Sequence, residues 1–299
     1  MTTEPVPPNL MLALLKSLGV VDEARLELYA PGTRDCPDLP VLRDRASGVI
    51  FLSRVHRSDL DYYEAKTATR AEVALADRVI ATPVLDDAKR RAQMFGAQIA
   101  GKAWLDFGTG AAAMLDLLGR DARRAVGIEP QATDRNAALA RGLDVRRSLA
   151  DVQGEAFDVV TLFHVLEHLP DPIETLQTLR ALLAPGGILI VEVPHARDFL
   201  LQTLDSAAFR AFTLWSEHLV LHTRDSLERL LVAAGLRCRS VSGYQRYPLS
   251  NHLYWLRHER PGGHNAWSFL NTPTLEEVYA STLADLDQTD TLLAIASGQ

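Results

Sequence analysis

The stretch Trp104-Leu105-Asp106-Phe107-Gly108-Thr109-Gly110-Ala111-Ala112-Ala113 decides how the chain is read. An apolar run that ends on a carboxylate, meets two glycines one residue apart and continues into Ala- and Leu-rich sequence is a strand, a tight turn and a helix. Glycine admits positive φ and lets a ligand approach the backbone, and the first turn of the helix offers unpaired N–H groups, so the turn is a ligand cradle. Glu129 lies 21 positions beyond Gly108, just after the next apolar run, Ala125 to Ile128. In a strand–helix–strand unit that spacing sets a carboxylate beside the ribose hydroxyls of a nucleotide. The bland alternative is a plain turn at Gly108 and Gly110, with Glu129 capping a helix.

The pattern around this stretch extends it into a sheet. Ala103–Phe107, Ala125–Ile128, Leu143–Val145, Asp158–Phe163, Ile188–Val193, Cys238–Tyr244 and Leu249–Leu256 read as seven strands, with helical stretches near 110–119, 131–141, 173–184 and 225–234 between them. Short apolar runs alternating with helices predict a Rossmann-like, mostly parallel α/β sheet. The last two strands lack a helix-length connection and should pair antiparallel. Upstream, Asn9–Leu18 reads as an amphipathic helix, residues 40–53 as a hairpin around Ala46-Ser47-Gly48, and Asp59 to about Phe95 as a helical cap with a break at Pro83. The organisation expected is a hairpin and cap over 1–98, a core over 99–258 and a helical tail over 259–299.

With 47% hydrophobic and 23% charged residues the chain is globular, which excludes disorder and coiled coil. A net charge of -7 argues against a nucleic-acid partner. Cys36 and Cys238 stand alone, so neither a disulfide framework nor a thiolate zinc site is built. No apolar run approaches the roughly 20 residues of a membrane span, and the opening residues lack the basic n-region of an export signal. A cytoplasmic protein without a membrane partner is expected.

Gly108-x-Gly110-x-x-Ala113 also satisfies a dinucleotide fingerprint, which keeps a nicotinamide oxidoreductase in view. Asp106 argues against it, because a carboxylate just ahead of the turn repels a pyrophosphate but attracts a cationic amino group or sulfonium. The run LDFGTGAA with VGIEP resembles the first two motifs of the class I S-adenosylmethionine-dependent methyltransferases, Ala112 standing where their third glycine is usual. FDVV at 157–160 and Pro185-Gly186-Gly187 extend the resemblance over about residues 100–195. It implies S-adenosylmethionine as cofactor, with Asp106, Gly108 and Gly110 near its methionine moiety and Glu129 on its ribose. By the same resemblance Leu149 lies against adenine and His164 at a strand end lining the cofactor. Tyr63 in the cap is the aromatic expected to cover it.

The acceptor should sit at the carboxyl ends of the strands, where the loops are rich in histidine. Removing a proton from an acceptor suits a histidine oriented by a carboxylate, and Glu217-His218 is such a pair; His168 is the other candidate. His195, His222 and His252 read as structural. His164-x-x-Glu167-His168 also spells a zinc-peptidase string, but Pro170 and Pro172 truncate the helix such a site needs. No metal ligand is assigned, and whether His164, Glu167 and His168 hold an ion stays open. The segment Glu217-His218-Leu219 resembles a stretch of sugar C-methyltransferases, with Trp215 and Ser216 in place of their Tyr and His and without their cysteine zinc module.

The function expected is therefore methyl transfer to a small polar molecule, first a sugar or sugar nucleotide, then a secondary metabolite or quinone-like phenol, by a monomer or homodimer. A non-catalytic cofactor-binding protein is a further alternative.

Overall fold

The computed structural model describes residues 10–55 and 82–298. Seven strands form the main sheet in the order β10-β11-β8-β7-β4-β5-β6. They are β4 (Ala103–Phe107), β5 (Arg124–Ile128), β6 (Val145–Arg146), β7 (Phe157–Phe163), β8 (Leu183–Pro194), β10 (Arg237–Tyr244) and β11 (Thr291–Ser297). β4 through β8 run parallel, and β11 is antiparallel to both neighbours. The near-continuous apolar sequences of β7 and β8 follow from burial on both faces. Leu105, Val160, Leu162 and Val191 point to one side, under the helices Pro172–Ala181 and Arg224–Ala233. Trp104, Val159, Phe163 and Ile190 point to the other, under Thr82–Ile99 and Ala113–Leu118.

The antiparallel strand expected at Leu249–Leu256 is a helix, Leu249–His258. Its buried residues Asn251, Tyr254 and Trp255 recur at three- and four-residue spacing, which outweighs the β-preference of its aromatics. The antiparallel partner comes instead from TLLAIAS at 291–297, buried between β8 and β10. The tail is therefore not wholly helical, and the sheet draws on residues beyond 258. Pro83 does not break a helix but lies in the first turn of Thr82–Ile99, a position proline tolerates. The rest of the expected cap, with Tyr62, Tyr63 and Glu64, lies outside the described residues.

A second sheet of four strands, β1 (Leu26–Ala30), β2 (Val41–Asp44), β3 (Ile50–Leu52) and β9 (Val220–Leu221), encloses its own apolar cluster. β2 and β3 are the predicted hairpin, turned at Gly48 with φ +79°. Asp44 anchors that turn by accepting from the backbone N–H groups of Ala46 (2.9 Å) and Ser47 (2.8 Å). Because β3 pairs with β9, the amino-terminal sheet holds the segment that follows Glu217-His218.

Candidate active site

Asp106, at the end of β4, is 4% exposed. Its carboxylate accepts from Thr161 Oγ1 at 2.7 Å, and Thr161 in turn accepts from the buried Trp104 indole at 2.9 Å. Burial raises the pKa of Asp106 despite that hydrogen bond. The carboxylate is thus fixed inside the site rather than pointed at bulk water. Gly108 and Gly110 have φ of +75° and +53°, and Ala112, also left-handed, opens the helix at Ala113. A Cβ on Gly108 would meet Val165 Cγ2 at 2.4 Å, whereas one on Gly110 would meet nothing within 4 Å. The first glycine lets the turn close against its neighbour, and the second leaves open space.

Glu129 turns back on that space. Its carboxylate accepts from Gly110 N and Gln131 N, both at 2.8 Å. Burial nevertheless pushes its pKa up to about 7. Two N–H bonds leave lone pairs on both oxygens for further donors. Leu149, half-buried, starts the short turn after β6 that Ser148 and Asp151 cap reciprocally.

His164 follows β7 directly and adopts φ +55°, a strained conformation for a non-glycine residue. Its Nδ1 lies 3.1 Å from Glu167 Oε1, and its Nε2 lies 3.0 Å from Arg246 Nη1 and 3.2 Å from Glu192 Oε1. Burial disfavours the imidazolium, yet the two carboxylates raise its pKa. A 3-10 turn over Leu166–His168 then carries Glu167 and His168. Leu219 N donates to Glu167 O at 2.8 Å and brings in the loop with His218, whose ring lies 4.9 Å from that of His168 and 5.6 Å from Trp215.

Glu167, His168 and His218 each offer a ligand atom, all within 4.8 Å of one another. Burial, with His168 next to it, pushes His218 down to about 3. Glu167, wholly buried, is held down at about 2 by its histidine neighbours against the cost of burial. Glu167 is a carboxylate that bears on His218. Glu217, paired with that histidine in the sequence, is itself buried. Of the His164-x-x-Glu167-His168 string, His164 meets Glu167 through Nδ1 and Glu192 and Arg246 through Nε2, and a further imidazole near Glu167 and His168 comes from His218.

Glu192 could have been noticed as a charge inside the apolar run IVEV. It is fully buried, and its Oε1 takes Arg90 Nη2 and Arg91 Nη2, each at 2.7 Å, from the Thr82–Ile99 helix. Arg91 also lies 4.8 Å over the Phe163 ring. Arg246 pairs with Asp87 of the same helix and lines a cavity of about 540 Å³ with Tyr244, Tyr247, Glu276 and Tyr279. Arg90 and Arg91 carry no motif, since only tertiary contact brings them to the strand ends.

A glycine turn with a buried carboxylate beside it at the carboxyl ends of a doubly wound sheet gives this molecule a Rossmann-like architecture. The methyltransferase-domain family matches residues 82–241, more than half of the chain, and the chain belongs to it. The ubiquinone biosynthesis O-methyltransferase of Haemophilus ducreyi is 28% identical over 186 residues, 53% of this chain and 75% of that protein. The protein of the same name from Pseudomonas paraeruginosa is 30% identical over 179 residues, 52% and 73% of the two chains. A solved SAM-dependent methyltransferase from Archaeoglobus fulgidus shares the fold, with a TM-score of 0.50 at 16% identity over 71% of this chain and 93% of that one.

This protein is thus a SAM-dependent methyltransferase rather than a nicotinamide enzyme. The residues suit the cofactor: space at Gly110, the Glu129 carboxylate beside it and the buried carboxyl group of Asp106. No helix among the described residues is long and apolar enough to cross a membrane.

Proposed function

We propose that the enzyme methylates a hydroxyl group of a small polar molecule held over the His164–His168 turn and the 215–219 loop. The observation that carries this reading is the contact of the glycine turn with Val165, which makes the cofactor cradle and the histidine cluster share one wall. S-adenosylmethionine, when bound, supplies a methyl group on a cationic sulfur. The chain adds alignment and a destination for the acceptor's proton. Asp106 offers its charge to a cationic amino group, Glu129 accepts from ribose hydroxyls, and Leu149 gives adenine an apolar wall. In the simplest arrangement His168 or His218 takes the proton and Glu167 stabilises the resulting cation.

The name of the relatives supports an oxygen acceptor and a phenolic ring; the sugar C-methyltransferase resemblance supports a sugar or sugar nucleotide. The cavity beside Arg246 has the volume for a body of either kind. We include in the proposal a cytoplasmic location and a monomer or homodimer. Transfer of labelled methyl to a panel of catechols, polyprenyl phenols and nucleotide sugars, alongside calorimetric titration with S-adenosylhomocysteine, tests it. Tight S-adenosylhomocysteine binding with methylation of either class supports the reading, and transfer only to amines or to carbon would overturn it.

A further inference from the structure

The turn after β10 and the helix Pro273–Asp285 leave a cavity of about 540 Å³ between them, within the usual size of a small-molecule site. Pro273, Glu276, Glu277, Ala280 and Ala284 line it at three- and four-residue spacing, so one face of that helix turns to open space instead of a packed core. Tyr244, Tyr247 and Tyr279 supply aromatic surface around it. These walls are fixed before any ligand arrives. Asp290 accepts from the backbone N–H groups of Arg246 and Tyr247 and from Gln245 Nε2, each at 3.0 Å, and the Tyr279 hydroxyl lies 2.6 Å from His252 Nδ1.

The free groups of the cavity carry negative charge. Arg246 gives Nε and Nη2 to Asp87 and approaches His164 with Nη1, and Arg224, behind Gly243, gives its donors to Asp287 and to Ala284 O. Glu276 and Glu277 take no hydrogen bond or ion pair among the described residues. Two unopposed carboxylates repel a phosphate and attract an ammonium group. The tyrosines strengthen that preference, because an aromatic face attracts a cation, and their flat apolar surface also suits the C–H face of a sugar ring.

In the sheet β10 stands three strand spacings from β7, about 14 Å. A molecule that offers a hydroxyl at the end of β7 and fills the cavity with its far end is therefore longer than one sugar ring. Arg246 borders both parts, since it lines the cavity and reaches His164 Nε2 at 3.0 Å. We propose that the cavity holds the distal ring of the methyl acceptor, an amino sugar whose ammonium group lies against Glu276 and Glu277. The acceptor class is then a glycoside of two or more rings that carries amino groups. Its place in the reaction rests on the reading that the enzyme methylates a hydroxyl; the binding of the ring stands apart from it.

The test is calorimetric titration of the full-length protein, loaded with S-adenosylhomocysteine, with neamine, a two-ring amino sugar. Its fully N-acetylated form, glucose 6-phosphate and spermidine serve as comparisons, at about 0.15 M salt to screen long-range attraction. Saturable binding of one neamine per chain is expected, at least tenfold tighter than each comparison. The double substitution Glu276→Gln/Glu277→Gln should weaken it at least tenfold, while Glu228→Gln, an exposed carboxylate elsewhere, leaves it unchanged. Both cavity glutamates are exposed, so the double variant keeps its fold, which circular dichroism and S-adenosylhomocysteine affinity verify. No saturable binding, binding indifferent to the double substitution, or spermidine or glucose 6-phosphate bound as tightly as neamine would overturn the assignment. Methyl transfer to neamine with a KM raised at least tenfold in the double variant supports the link to the reaction. Neamine binding that the double variant loses, with no methyl transfer, would uphold the ring site and refute only its place in the methyl acceptor.

Discussion

The two glycines of the cradle make opposite predictions when each is replaced by alanine. Both need positive φ, which costs an L-residue about 1–2 kcal/mol. At Gly108 the new methyl would also sit 2.4 Å from Val165 Cγ2 and 3.1 Å from Cγ1, an overpacking worth about 1–3 kcal/mol more. Gly108→Ala should therefore lose about 2–5 kcal/mol of stability and Gly110→Ala only about 1–2 kcal/mol. Binding should reverse the contrast, because the methyl of Gly110→Ala projects into the space assigned to the cofactor. Its affinity for S-adenosylhomocysteine should fall at least about tenfold, or about 1.4 kcal/mol. Urea denaturation and calorimetric titration on the same preparations measure both quantities. A Gly110→Ala protein that binds S-adenosylhomocysteine like the parent refutes the placement of the cofactor, and equal stability of the two variants refutes the contact with Val165.

Glu129, raised by burial from 4.5 to about 7, should make the ligand-free protein lose up to about 3 kcal/mol of stability as pH rises between those values, since the unfolded chain gives up that proton first. Ribose hydroxyls favour the ionised carboxylate, so S-adenosylhomocysteine affinity should rise from about pH 6 to pH 8 and flatten in Glu129→Gln; a flat parent profile contradicts this. Asp44 behaves in the opposite sense: burial works against its charge, but backbone hydrogen bonds led by Ser47 outweigh it and lower the pKa from 3.8 to about 2. The resulting stabilisation of about 2 kcal/mol is complete above 3.8 and lost as pH falls towards 2, so Asp44→Asn should lower the urea midpoint at pH 7 and blunt the acid sensitivity. Glu192→Gln should cost about 3–5 kcal/mol by stranding Arg90 and Arg91, and Arg91→Met should recover part of the loss in a double-mutant cycle; additive losses would contradict the coupling.

The glycine turn and its approach to Glu129 were legible because their signals are local. Gly108, Gly110 and Glu129 lie within one strand–helix–strand unit, where spacing alone fixes geometry, and the apolar runs of β4, β5 and β7 are bounded by clear turns. The histidine half was legible only as a set of residue types. Nothing in sequence spacing set Glu167 near His218, since that depends on how the loop before β9 folds over the turn after β7. Arg91 was silent for the same reason. The Leu249–His258 helix was misread because its aromatics favour strands, while the face they bury is set by contacts with later residues such as Tyr279, whose hydroxyl meets His252 Nδ1 at 2.6 Å.

β11 has a consequence for how the chain assembles. It is the neighbour that joins β10 to the rest of the sheet, yet it is made after both strands it separates. During synthesis the flank of β8 therefore stays uncovered until residues 291–297 leave the ribosome, and an open flank invites pairing with other nascent chains. Closure is a late, long-range event, so refolding from denaturant should be slow, and emergence of residues 291–297 should precede the gain of protease resistance around β10.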